Sequence, residues 1–222
     1  MIYEPGAPVD IEAVRQDALG CTRCKLARGR TNVVWADGNL SSDLLFIGEA
    51  PGFHEDQQGR PFVGAAGQLL DALLAEIGLD RSRAAIVNVL KCRPPNNRDP
   101  EPDEIDACRP FLEAQLAYMR PKVIVTLGNF ATRFILERPI GITRARGQVY
   151  RRRDALVVPT FHPAAALRGG RFGGLSPVDA IRADLAVVRA ILDGRHPAVA
   201  PAPEPAPVAP APKPGAEQLG LF

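Results

Sequence analysis

Four short apolar runs, separated by stretches of helical periodicity, restrict this chain more than any other feature. They are DLLFIG at 43–48, AAIVNVL at 84–90, KVIVTLG at 122–128 and ALVVPTF at 155–161. Runs of this length and composition make buried strands, and helices at about 10–19, 65–77, 102–118, 129–137 and 177–193 fall around them. The alternation predicts an α/β fold with a mainly parallel sheet and helices on both faces. Ligands of such folds gather beyond the carboxyl ends of the strands. Here each run empties into polar or glycine-rich sequence: GEAPG, NVLKCRPPNNR, GNF and FHPAAALR. The four loops are expected to face one crevice.

The first loop limits what that crevice holds. LLFIGEAPGFHEDQQGRPFVGAAGQLL at 44–70 has the strand, loop, helix order of a nucleotide-binding unit. It lacks both the Gly-Lys-Ser/Thr of a Walker loop and a GxGxxG packed against the helix. Glu49, Glu55 and Asp56 would repel a phosphate, so a neutral ligand is expected. Taken singly, the polar residues of the loops are ambiguous. Asn88 reads equally as a turn cap or as an amide needing a partner, Phe62 reads as a core aromatic, and His162 reads as a cap of the following turn.

With 222 residues and 46% hydrophobic side chains, the chain can bury one core. A net charge of +2 does not mark a nucleic-acid binder by composition, so local patches must decide. The start lacks a basic region followed by an apolar one, and no apolar run approaches the roughly 18 residues that span a bilayer. A soluble, cytoplasmic protein without a membrane partner is expected. In that reducing setting Cys21, Cys24, Cys92 and Cys108 read as metal ligands or buried thiols before disulfides. The CxxC follows a helix and not the first strand of a βαβ unit, unlike a thioredoxin motif. A shared four-cysteine site is the preferred reading, and spacing alone does not separate zinc from an iron–sulfur cluster.

The chain divides near residue 195. Residues 1–194 are expected to form the folded domain and 195–216 a Pro/Ala-rich, disordered linker that cannot bury a core. Residues 217–222 end in the apolar QLGLF. From Pro197, about twenty extended residues would reach on the order of 60 Å.

CTRCKLARGR at 21–30, GEAPGFHEDQQGRPFVGAAGQLL at 48–70, NVLKCRPPNNRDPEPDEIDACRPFL at 88–112, VTLGNFAT at 125–132 and TFHPAAALR at 160–168 together resemble the family 4 uracil-DNA glycosylases, the iron–sulfur class. The resemblance covers nearly all of the expected folded part. It implies a three-layer α/β/α sandwich with a four-stranded mainly parallel sheet. It also implies a 4Fe-4S cluster on Cys21, Cys24, Cys92 and Cys108, and hydrolysis of the bond between uracil and deoxyribose in DNA. By the same resemblance Phe62 stacks on the base and the Asn88 amide reads its edge. His162 donates to uracil O2, and Glu49 and Ala50 line the base. Glu49 paired with Asn97 is expected to position water.

The loop departs from family 1 relatives, which carry an Asp where Ala50 stands and a Tyr where Gly52 stands. The water-activating role therefore has to move, and Glu55 resembles the family 4 residue that fills the space against thymine. Leu167 resembles the wedge pushed into the gap left by a flipped base. Beside it Arg168, with Arg144, Arg146 and Arg151 to Arg153, is expected to offer a basic surface to phosphates. QLGLF resembles the peptide that bacterial repair proteins insert into the sliding clamp, implicating Gln218, Leu219, Leu221 and Phe222. A monomer acting on uracil-containing DNA is expected. Two rivals are a non-catalytic clamp-tethered iron–sulfur DNA binder, which would not need Phe62, Asn88 and His162 together, and a relative that traps DNA covalently. The trapping relatives carry an inserted histidine between the third and fourth cysteines, and CRPPNNRDPEPDEIDAC has none.

Overall fold

The computed structural model of the chain describes residues 8–169, 171, 174–195 and 199–200. In chain order the strands are β1 (Asp37–Gly38), β2 (Leu44–Gly48), β3 (Ala85–Asn88), β4 (Val123–Leu127), β5 (Tyr150–Arg152) and β6 (Ala155–Thr160). They form one sheet in the order β1-β3-β2-β4-β6-β5, in which the inner four are parallel and both edges antiparallel. The inner four are the four apolar runs. The expected four-stranded sheet is thus corrected to six strands: the edges have two and three residues, too few to show an alternation.

The helices are α1 (Ile11–Leu19), α2 (Phe53–Gln58), α3 (Ala65–Glu76), α4 (Pro102–Met119), α5 (Asn129–Leu136), α6 (Ile142–Ala145), α7 (Pro163–Leu167) and α8 (Pro177–Leu192). Local chemistry sets several of their starts. Asp10 accepts from Ala13 N at 3.0 Å before α1, and Ser176 accepts from Asp179 N at 3.1 Å before α8, which opens on Pro177. α2, α6 and α7 were not expected, because four to six residues inside a loop are too short to display a helical period.

Side-chain alternation along β2 explains why its sequence is apolar throughout. Leu44 and Phe46 enter a core with Leu70, Leu73 and Leu74 of α3 and Ile181, Leu185 and Val188 of α8. Leu45 and Ile47 enter the opposite core with Leu112 and Leu116 of α4 and Phe134 and Ile135 of α5. Both faces are covered, so a buried parallel strand needs no polar face. A third cluster, of Val14, Leu26, Trp35, Leu90 and Phe111 with Cys92 and Cys108, packs α1 onto α4.

The expected arginine surface changes. β5 pairs Arg152 with Ala155, so the turn at Arg153 lies at the amino end of β6, opposite the crevice. Arg146 is ion-paired with Asp184 at 3.0 Å and Arg152 with Glu113 at 3.2 Å. Of that set, Arg168 lines the crevice. Among the described residues no helix is long and apolar enough to cross a membrane. Of the linker expected to be disordered at 195–216, Val199 instead forms a parallel bridge with Val149 and Ala200 N donates to Val149 O at 2.7 Å, while residues 196–198, 201–216 and the QLGLF end lie outside the described residues.

Candidate active site

Parallel register brings Gly48 beside Asn88 and Leu127 beside Thr160, so four strands end at one level. Beyond them opens a crevice of about 360 Å³ lined by Glu49, Glu55, Phe62, Asn88, Asn97 and His162, with Ala50 and Arg168 among its other walls. It lies where the chain leaves β2 toward β3 on one side and reaches β4 on the other, the usual place for a ligand in a doubly wound sheet.

Asn88, the last residue of β3, is 2% exposed, and its Oδ1 is buried without a hydrogen-bond partner among the described residues. A buried acceptor left unpaired costs about 1–3 kcal/mol, so a native fold that keeps one does so for a reason. Gly48 makes room for it: a Cβ there would collide with Asn88 Oδ1 and come within 2.6 Å of Phe62 Cζ.

Phe62 adopts φ 55°, a left-handed conformation rare for an aromatic residue. Three features hold it there. Its carbonyl accepts from Arg81 Nη2, while Arg81 Nη1 donates to Pro61 O at 3.1 Å. Arg81 is itself fixed by Asp37 at 2.6 Å and Asp71 at 2.8 Å. Gly67 lets the Phe62 backbone approach so closely that any Cβ would overlap it. The ring, 5% exposed, lies nearly parallel to that of His162, with centroids 5.4 Å apart and planes inclined by 28°.

His162 caps α7: its Nδ1 accepts from Ala164 N at 3.1 Å. An Nδ1 that accepts carries no proton, so the neutral ring must carry its proton on Nε2. Burial, reinforced by Arg168 and opposed by Glu55, lowers the imidazole to about 4. At neutral pH His162 is therefore an uncharged Nε2–H donor, and the cap is what fixes the tautomer.

Burial, with the negative Asp99 adding to it and Arg168 opposing, raises the Glu49 carboxyl to about 7. Such a group takes or gives a proton readily near neutrality. The expected hydrogen bond between Glu49 and Asn97 is not formed; Asn97 Oδ1 accepts from Arg93 Nε at 2.7 Å instead. Glu55 accepts from Gly52 N at 3.1 Å, Val63 N at 2.9 Å and Gly64 N at 2.8 Å. Its carboxylate thus ties the turn before α2 to the turn before α3. Arg168 lines the crevice, and Leu167, 54% exposed, precedes it in the chain.

Cys21, Cys24, Cys92 and Cys108 all line one cavity, brought together from the segment after α1, the loop after β3 and α4. Arg30 Nη1 donates to Cys92 Sγ at 3.4 Å and Lys91 N to Cys108 Sγ at 3.3 Å. As free thiols, Cys92 is raised and Cys108 pushed up to about 12, chiefly by burial. Burial likewise lowers the Lys91 ammonium to about 8, against the opposing pull of Cys108 and Cys92. Among the described residues no group of three or more His, Cys, Asp or Glu side chains is already arranged to hold a metal ion. The donor set nevertheless fits a thiolate-bound group: four sulfurs share one cavity, and cationic or N–H donors face two of them.

Sequence reasoning passed over Gly48, Gly67, Arg81 and Lys91. None of the four stands out in the sequence, and only the distant segments they touch give them their importance.

Fold and crevice together define a doubly wound α/β protein whose switch-point site presents an aromatic ring, a buried amide oxygen and a neutral imidazole. The chain belongs to the uracil DNA glycosylase superfamily, whose family model matches residues 35–186, and within it to the type-4 uracil-DNA glycosylases. It is 48% identical over 166 residues to the type-4 uracil-DNA glycosylase of Sulfurisphaera tokodaii, covering 71% of this chain and 76% of that one. The type-4 enzyme of Thermotoga maritima is 48% identical over 163 residues, and that of Archaeoglobus fulgidus 45% over 165, each covering 71% of this chain and 83% of the relative.

Proposed function

We propose that this chain is a monofunctional glycosylase that hydrolyses the N-glycosidic bond of deoxyuridine in DNA, releasing uracil and leaving an abasic site, the opening step of base-excision repair. The observation that carries this reading is the buried, partnerless Oδ1 of Asn88 facing the crevice beside a neutral His162. A uracil flipped from the stack would lie against Phe62. Its N3–H would satisfy Asn88 Oδ1 while the amide N–H donates to O4. Cytosine presents the reverse pattern, leaving both partners unpaired, so it is rejected.

As the C1′–N1 bond breaks, its electron pair moves onto uracil, and His162 Nε2–H donates to O2 where negative charge gathers. An uncharged donor serves here because it binds the anion without first attracting a phosphate. Water adds its oxygen to C1′ and gives a proton to Glu49, whose raised affinity for protons suits it to the task. Asn97 helps to shape the water's approach, Ala50 and Glu55 close the pocket around the base, Leu167 fills the gap in the duplex and Arg168 meets phosphate.

Cys21, Cys24, Cys92 and Cys108 would hold a 4Fe-4S cluster, supported by their shared cavity and the donors from Arg30 and Lys91. When bound, the cluster supplies a crosslink between the end of α1, the loop after β3 and α4; no step of the hydrolysis passes through it. The working arrangement is a cytoplasmic monomer with its folded domain at 1–194, a Pro/Ala-rich linker at 195–216 and a sliding-clamp peptide at 217–222. Deleting Gln218 to Phe222 is expected to abolish clamp binding in a pull-down with purified clamp, with catalysis on oligonucleotides intact; unchanged clamp binding would sink that part.

Single-turnover release of uracil from oligonucleotides carrying U opposite G, U opposite A or U unpaired tests the central reading. Rapid release that His162→Ala loses supports it. Tight binding without release, or a complex that survives denaturation, overturns it.

A further inference from the structure

Lys91 is the one fully buried cation in the described core, 1% exposed, and no carboxylate pairs with it there. Its Nζ donates to the backbone carbonyl of Asn88 at 2.7 Å and to Oε1 of Gln115 at 2.5 Å, and stands 5.7 Å from the centroid of the Trp35 ring. Gln115 is oriented for this by its own Nε2, which donates to Trp35 O at 3.0 Å. Two carbonyl oxygens and an aromatic face all seek a positive donor, so the site is built for an ammonium. Packing alone would be served better by an apolar side chain of the same length, because a charge removed from water without a counter-charge is strongly disfavoured.

The counter-charge lies at the cysteine site. Lys91 lines the same cavity as the four cysteines, its backbone N–H donates to Cys108 Sγ at 3.3 Å, and Cys92 is the next residue. Four thiolates outweigh the positive iron–sulfur core they would hold and leave net negative charge in that cavity, and the cations lining it include Arg30 and Lys91. At its other end the same ammonium grips the carbonyl of Asn88, whose amide faces the base. We infer that Lys91 is a positioning residue joining the two sites: its ammonium is the fixed counter-charge of the four-thiolate group, and its bond to the Asn88 carbonyl holds the base-reading amide in place. The inference rests on the proposed cluster and base recognition.

Lys91→Met keeps the length and apolar stem but removes the charge and both hydrogen bonds. Gln115→Met also removes a buried hydrogen bond, yet leaves the ammonium bonded to Asn88. Iron-loaded parent and variants are challenged with an iron chelator and iron loss is followed by visible absorbance; uracil release is then measured under single turnover, and binding to uracil-free DNA separately. Lys91→Met is expected to lose iron about tenfold faster or more and to release uracil about tenfold more slowly, with unchanged affinity for uracil-free DNA. Gln115→Met is expected to hold iron at the parental rate. Parental iron retention in Lys91→Met, or equal loss in both variants, reduces Lys91 to a packing residue and overturns the inference. Should Lys91→Met fail to fold, Gln115→Glu, which sets a carboxylate against the ammonium, is read in the same assay. It is expected to lose iron faster than Gln115→Met, and equal rates overturn the idea. A parent protein purified without iron or acid-labile sulfide defeats the cluster reading itself, and this inference with it.

Discussion

Replacing Asn88 by Ala separates what this residue does for the fold from what it does for the reaction. Among the described residues its Oδ1 is buried without a partner, a state that costs about 1–3 kcal/mol. Removing the amide relieves that cost and gives up the contacts of a small side chain, about 1 kcal/mol. The two effects nearly cancel, so the free energy of unfolding is expected to change by less than about 1 kcal/mol. The reaction loses both the acceptor for N3–H and the donor to O4. Two hydrogen bonds of about 1 kcal/mol each amount to about 2 kcal/mol, or about 30-fold in the single-turnover rate. Urea unfolding and single-turnover uracil release on the same preparation measure the two halves. An Asn88→Ala protein that loses more than about 2 kcal/mol of stability would show that the amide has a structural partner after all. One that excises uracil at the parental rate would refute its role in reading the base.

Glu49 supplies a pH prediction. Its folded-state pKa of about 7 lies above the ordinary 4.5, so the folded protein holds the proton more tightly than the unfolded chain. Its contribution to stability is therefore present below 4.5 and is lost as pH rises through about 7, while the single-turnover rate rises over the same interval as the base ionises; Glu49→Gln is expected to flatten the rate profile. For His162 the sign is opposite: with a folded pKa of about 4 against an ordinary 6.5, its contribution to stability is present above 6.5 and is lost as pH falls through about 4. A ring titrating near 6.5 by NMR would contradict the neutral-donor assignment. Gly48→Ala places a methyl against Asn88 Oδ1 and Phe62 Cζ, and is expected to cost about 1–3 kcal/mol of stability and most of the activity, read by unfolding and by uracil release.

The inner sheet was legible because its strands are buried on both faces: DLLFIG has no polar position to blur, and the partners of Phe46 and Ile47 lie in different cores. The edges were not, since Asp37–Gly38 and Tyr150–Arg152 take their strand character from their neighbours β3 and β6. The crevice residues were legible through the family resemblance and not singly by type, since Asn88 and His162 read equally as caps and Phe62 as a core aromatic. Glu49 and Phe62 from the stretch between β2 and α3, Asn88 from the end of β3 and His162 from just after β6 line one crevice beyond the carboxyl ends of the parallel strands. Pairings between loops were not legible. Asn97, in a left-handed turn at φ 53°, accepts at its Oδ1 from Arg93 four residues back and does not pair with Glu49. Nor could the arginine run be placed without the β5 register that turns it away from the crevice.

Phe62 shows why the hidden residues belong to the same design. An aromatic side chain in the left-handed region costs on the order of 1–2 kcal/mol. Arg81 offsets this with bonds to two successive carbonyls, at Pro61 and Phe62, and is kept in position by Asp37 and Asp71 from opposite sides. Hydrogen bonds from a charged donor contribute about 1.5–3 kcal/mol each, enough to hold the strained turn. Strain and support come from residues 19 apart, Phe62 and Arg81 being linked through α3. A relaxed turn could bury the same ring in the core, but it would not lay its face parallel to His162 across the mouth of β2. The crevice is therefore kept in a binding geometry before any ligand arrives, with Asn88 unpaired, Phe62 strained and His162 held neutral, and the rest of the fold bears that cost.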